Sequence, residues 1–237
     1  MSGKTISIRT KLLAPLAGMM LASSAQAGLI INSIDMFVAD INYTVNRSST
    51  FQDALVNFDA AYDANPICDV SLQTLEGVGS KYNCGGKERA NTGTLFLISG
   101  YNSGASQLQF GTDWGRGGYS ALNTPGSSDI QKYADDIWWG RNWNDRDVLS
   151  FNFSGDGAFS LILLGFEACC NGATSARSRD AGVDGIIQDA EWQSLAVNAA
   201  AVSTPPVAWL FGAGLAGLLM TRIRRREFAV VAPAARS

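Results

Sequence analysis

Apolar and polar residues alternate along part of LIINSIDMFVADINYTV, residues 29–45, and the stretch is rich in β-branched and aromatic side chains. A period of two over such residues predicts a strand. The period then changes. In SSTFQDALVNFDAAYDANP, Phe51, Leu55, Phe58 and Tyr62 fall on one helical face, Ser49 or Thr50 is placed to cap the start, and Pro66 lies beyond the end. These signals predict a helix over residues 51–62. Residues 68–91 are crowded with turn formers and read as loop. Short β-type runs follow: TLFLIS, SQLQFG, DVLSFNFSG and AFSLILLGFE, with YNSG, DWGRGG, TPGSSD and SGDG as turns. EWQSLAV, residues 191–197, reads as a final strand. The pattern predicts a mainly β fold, a β-sandwich or jelly-roll-like domain with one N-terminal helix. It shows no internal repeat.

Two apolar runs at the ends do not belong to that domain. The first follows Lys4, Arg9 and Lys11, reads LLAPLAGMMLA, and leads to Ala25-Gln26-Ala27. A basic start, a short apolar run and a small-x-small site predict a Sec signal peptide over residues 1–27. The second run, residues 207–220, holds only apolar residues and glycine; extended to 202–223 it reaches about 30 Å as a helix, enough to span a bilayer. Arg222, Arg224, Arg225 and Arg226 follow it and predict a cytoplasmic side there. The expected organisation is an exported domain at 28–201, a C-terminal transmembrane helix with its arginine cluster at 202–226, and a short cytoplasmic tail at 227–237. The domain then lies outside the inner membrane.

Composition narrows the chemistry. Residues 28–201 hold 10 Lys and Arg against 20 Asp and Glu, a net charge near −10, which repels nucleic acid. The chain has no histidine, so Ser-His-Asp and Cys-His catalysis and histidine metal sites are excluded. Cys68, Cys84, Cys169 and Cys170 are the only cysteines. In an exported protein an even count suggests disulfides. Cys68–Cys84 with a vicinal Cys169–Cys170 pair is the favoured arrangement; the alternatives pair each member of the dipeptide with one of the earlier two.

The C-terminal segment resembles the PEP-CTERM sorting segment of exported Gram-negative proteins. Trp209-Leu210-Phe211-Gly212-Ala213-Gly214-Leu215 matches its helix, and Val202-Ser203-Thr204-Pro205 stands where a Val-Pro-Glu-Pro-type motif is expected, departing from it at Ser203 and Thr204. The resemblance implies cleavage near that motif by an exosortase, a membrane-embedded cysteine transpeptidase, and then release or attachment at the cell surface. Three further stretches resemble the CCxG-type subgroup: DWGRGG at 113–118, DIWWGRNW at 136–143 and GFEACCNG at 165–172. That resemblance implies an all-β exported domain and assigns no catalytic residue.

Candidate sites remain in the middle of the chain. Trp138, Trp139 and Trp143 lie among acidic and amide residues, a composition suited to stacking on sugar rings. On a strand Trp138 and Trp139 point to opposite faces, so at most one of them is core; packing at the sandwich edge is the competing reading. GFEACCNG reads as a structural staple at a strand end, with redox switching or metal capture as the alternative. Residues 180–191 match a calcium loop at Asp180, Asp184, Gly185 and Glu191, but Gly182 offers no side-chain ligand and an acidic β-hairpin loop competes. No other cofactor is implied. Asp135, Asp136, Asp145 and Glu167 are the carboxylates nearest to a glycosidase pair. The expected function is a non-enzymatic surface or extracellular-matrix protein, with the inner membrane and an exosortase as partners. The alternatives are an exopolysaccharide-binding module and a calcium-stabilised domain.

Overall fold

The computed structural model describes residues 28–85, 91–169, 172–181, 187 and 190–198. The signal segment 1–27, the sorting segment and tail from 202, Cys170 and Asp184 lie outside the described residues. The first half carries β1 (Gly28–Asp40), α1 (Phe51–Ala64), β2 (Pro66–Ser71), α2 (Ser80–Asn83), β3 (Thr92–Ser103) and β4 (Ala105–Gly111). Then come β5 (Asp113–Trp114), β6 (Gly118–Thr124), β7 (Ser127–Tyr133) and β8 (Ile137–Trp138). The chain continues with β9 (Leu149–Ser154), β10 (Gly157–Glu167), β11 (Ser175–Asp180) and β12 (Gln193–Ser194). A six-stranded sheet runs β2-β1-β3-β10-β6-β7, a four-stranded sheet runs β12-β11-β4-β9, and β5 pairs with β8. Among the described residues every pairing between these strands is antiparallel.

The expected β-sandwich is present, with an added layer. Met36, Phe96, Ile98, Leu161 and Leu163 of the large sheet share one core with Leu108, Phe110, Phe151 and Phe153 of the small sheet. Phe37, Leu95, Leu164 and Phe166 point the other way, into a second core with Ala54, Phe58 and Tyr62 of α1. The large sheet is thus covered on both faces. This is why its central strands read as near-continuous apolar runs, whereas β9 alternates buried and exposed along its whole length. Burying each large side chain of α1 contributes about 1.5–3 kcal/mol.

The helix begins where the capping signals put it. Thr50 Oγ1 accepts the Asp53 N–H at 3.1 Å and the helix runs two residues past 62, to Ala64. In β1, Leu29 and Ile31 face the sandwich core and so do Ile34, Met36 and Val38, a change of parity. A register shift between Ile31 and Ser33 makes this possible: one extra residue, Asn32, re-aims everything after it. The YNSG and SGDG turns form the corner where the chain changes sheets. Asn102 Nδ2 donates to Gly104 O at 2.7 Å and to Gly155 O at 2.6 Å, joining the two crossovers. Gly104 sits at φ 101°, open to glycine.

Several segments differ from expectation. The 68–91 region contains part of strand β2 and the short helix α2, and the Cys68–Cys84 disulfide joins them. Of the possible pairings, the favoured one is therefore present for these two cysteines; Cys169 is also disulfide-bonded. Closing a loop of this size restrains the unfolded chain by about 3 kcal/mol. β7, SSDIQKY, is an edge strand with its first six residues exposed, so it carries no apolar period. β11, SARSRD, turns only small Ala176 and Ser178 to one side and Arg177 and Arg179 to the other, which hides its strand character. The final strand is shorter than 191–197, but Leu195 is buried and hydrogen-bonds Leu75 and Ala176.

Candidate functional site

The three Trp- and Gly-rich stretches meet in space. β5 from DWGRGG pairs with β8 from DIWWGRNW, Asp113 opposite Trp138 and Trp114 opposite Ile137. Alternation sends Trp114 and Ile137 into the core and leaves Asp113 and Trp138 on the other face. GFEACCNG supplies the floor. Gly165 of β10 lies directly opposite Gly118 of β6, and the Trp114 indole rests on both. A Cβ at either position would run into that ring. Two facing glycines therefore cut a slot in the sheet that one tryptophan fills.

Two residues past Gly165, Glu167 is buried against the same tryptophan. Its Oε2 receives a long contact from the Gly115 N–H at 3.5 Å, and its Oε1 has no hydrogen-bond partner among the described residues. A cavity of about 10 Å³, bounded by Thr94, Asp113, Trp114, Glu167 and Thr174, adjoins it; that is room for about one water. Burial, reinforced by the charge of Asp113 and opposed by the Gly115 N–H, pushes the Glu167 carboxyl up to about 8. Asp113 is itself raised, by burial and then by Asp136. At neutral pH Glu167 is a neutral acid holding its proton. The cavity is far too small for a sugar ring, so this pair is not laid out as a glycosidase cleft. Asp145 accepts the Asp147 N–H at 3.2 Å within its own turn.

The tryptophans separate sharply. Trp138 is 67% exposed, the most exposed of the large apolar residues among those described, whereas Trp139 is only 5% exposed. Trp139 is therefore corrected from a sugar-stacking candidate to a packing residue: its ring covers Gly111 at the end of β4. Trp143 tilts against Trp139 with ring centroids 4.7 Å apart. Beyond it lies the outer face of the four-stranded sheet. The Arg177 guanidinium sits between Trp143 at 4.4 Å and Trp192 at 4.0 Å, and Arg179 lies over Trp192 at 4.4 Å. Arg177 Nε and Nη2 donate to Gln109 Oε1 at 3.0 and 2.8 Å, and Arg179 does the same to Gln107. Gln109 in turn donates to Ser150 Oγ at 3.1 Å. Sequence reasoning missed this ladder. Its trace was QLQ and RSR, polar residues two apart that share a strand face.

Of the calcium candidates, Asp184 lies outside the described residues. The strands that flank the stretch, β11 and β12, pair antiparallel, Arg177 opposite Ser194 and Ser178 opposite Gln193. The Asp180 carboxylate accepts the Leu29 N–H at 2.8 Å, and Glu191 is exposed. Glu167 was singled out from sequence, but its neighbour Asp113 was not.

No protein-family model and no curated protein matches the chain. Among solved structures it is similar to the PA14 domain of the MpAFP antifreeze protein, at 11% identity over 75% of this chain and 93% of that one, with a TM-score of 0.38. It is also similar to the Epithelial Adhesin 9 A domain from Candida glabrata in complex with Galb1-4GlcNAc, at 10% identity over 75% and 95% of the two chains, with a TM-score of 0.37. The same domain in complex with Galb1-3GlcNAc gives 8% identity, 76% and 96% coverage, and a TM-score of 0.37.

Proposed function

We propose that the domain is an exported, non-enzymatic module of the cell surface or extracellular matrix that binds polysaccharide through the face around Trp138. The observation that carries this reading is the indole of Trp138, 67% exposed. Trp138 stands opposite Asp113 in the β5–β8 pair, and its backbone N–H donates to Asp147 Oδ2 at 3.1 Å. An indole left in water forgoes the burial free energy of a large aromatic. A flat ring edged by carboxylates suits a sugar, whose C–H face stacks while its hydroxyls donate to the carboxylates. Export by the 1–27 segment, and processing of the 202–226 segment by an exosortase, would deliver the domain to that location.

Affinity electrophoresis of the detergent-solubilised full chain in exopolysaccharide gels tests the binding. Trp138→Ala is expected to weaken retardation while shifting stability by no more than about 0.5 kcal/mol, as an exposed substitution does. Trp139→Ala is the contrasting variant, losing about 3–5 kcal/mol by opening the packing over Gly111. Unchanged retardation of a folded Trp138→Ala protein rejects the site.

A further inference from the structure

We infer that the Trp143–Arg177–Trp192 stack on the outer face of the four-stranded sheet is a second binding site, one that takes the carboxylate of a sparsely charged acidic polysaccharide. The inference rests on the polysaccharide reading and names the class of polymer. Arg177 is a cation whose partners among the described residues are neutral. Its Nε and Nη2 both go to the neutral amide oxygen of Gln109, and no carboxylate partners it among the described residues. Arg179 lies two residues along the same strand face and shares the Trp192 ring, which sets a like charge beside Arg177. The Arg177 guanidinium, stacked on two indoles and bonded to a neutral amide, is a positive charge that an anion neutralises.

The geometry selects a planar anion. Nε and one edge of Nη2 are occupied, which leaves the Nη1–Nη2 end of the fork, the edge that grips a carboxylate with two parallel hydrogen bonds. The indoles hold the guanidinium plane and Gln109, itself tied to Ser150, holds its rotation. Little side-chain entropy is left to lose on binding. Half-buried Trp143 and Trp192 beside the fork offer the apolar contact that a sugar ring carries along with its carboxylate. A densely charged polymer would be repelled by the net charge near −10 of the domain, so the fitting ligand is a glycan with occasional uronate residues.

Two forms of one polymer separate the alternatives: polygalacturonate that is partly methyl-esterified, and the same chain fully esterified and therefore neutral. The full-length protein in detergent is expected to be retarded about tenfold more strongly by the partly esterified form. Arg177→Gln should remove that difference and leave retardation by the neutral form unchanged. Arg177→Lys should recover only part of it, because the fork is lost. Equal retardation of the wild-type chain by both forms overturns the inference, and does so even where the Gln variant fails to fold. A folded Arg177→Gln protein that keeps the difference also overturns it. Failure of both polymers to retard the wild type rejects the polysaccharide reading itself, whereas retardation by the neutral form alone that is weakened in Trp138→Ala leaves that reading standing and ends this one.

Discussion

Glu167 carries the sharpest chemical consequence of the fold. Its carboxyl titrates near 4.5 when unfolded and at about 8 in the folded chain. Between those values the folded chain keeps a proton that the unfolded chain has released. Stability is therefore greatest below the unfolded value, falls by up to about 1.4 kcal/mol for each pH unit as pH rises through the window, and levels off above the folded value. Asp113 is shifted in the same direction and adds to the slope. Urea unfolding midpoints are expected to drop between about pH 5 and about pH 8, and Glu167→Gln, which is neutral throughout, should flatten the profile. A midpoint that does not move over that range would show that Glu167 is charged in the folded chain. The same scale separates the tryptophans. Trp138 and Trp139 are adjacent in sequence, yet one is bathed in solvent and the other roofs Gly111.

Elements explain why the glycines of the three motifs stand where they do. Strands β6 and β10 place Gly118 and Gly165 side by side in the register, and Trp114 of β5 lies across them. Gly165→Ala is expected to cost at least about 1–3 kcal/mol by overpacking against that ring, read as a fall in melting temperature. A melting temperature equal to the wild type would mean that Trp114 has another place to go. The bulge at Asn32 has the same character. Without it the first half of β1 would turn Leu29 and Ile31 away from the sandwich core.

At the scale of the whole molecule, three layers distribute the work. α1 seals one face of the large sheet, the small sheet seals the other, and the outer face of the small sheet is left to the arginine–tryptophan ladder. The segments proposed to export and tether this body lie at its two ends. Exosortase processing predicts that protein released from the surface ends near Pro205, so its intact mass should lack the stretch from Trp209 to Arg226. Released material that still carries that stretch rejects cleavage there.

Local periodicity determined a good deal. The 3.6-residue pattern located α1 and its Thr50 cap, period-two stretches located β1, β4 and β9, near-continuous apolar runs located β3 and β10, and glycine-rich turns marked the sheet-changing corner. Cysteine count and spacing narrowed the disulfides to a few pairings with Cys68–Cys84 favoured, and that pair formed. Strands made of small and polar residues, β7 and β11, carry no such period, because an edge strand or a face lined by alanine and serine needs no apolar alternation. Tertiary structure alone decided which tryptophan faces water, which carboxylate Glu167 meets, and what flanks Arg177. Period two says that neighbours point opposite ways; it does not say which way is out. That depends on register, on one inserted residue in β1, and on contacts between strands far apart in the chain.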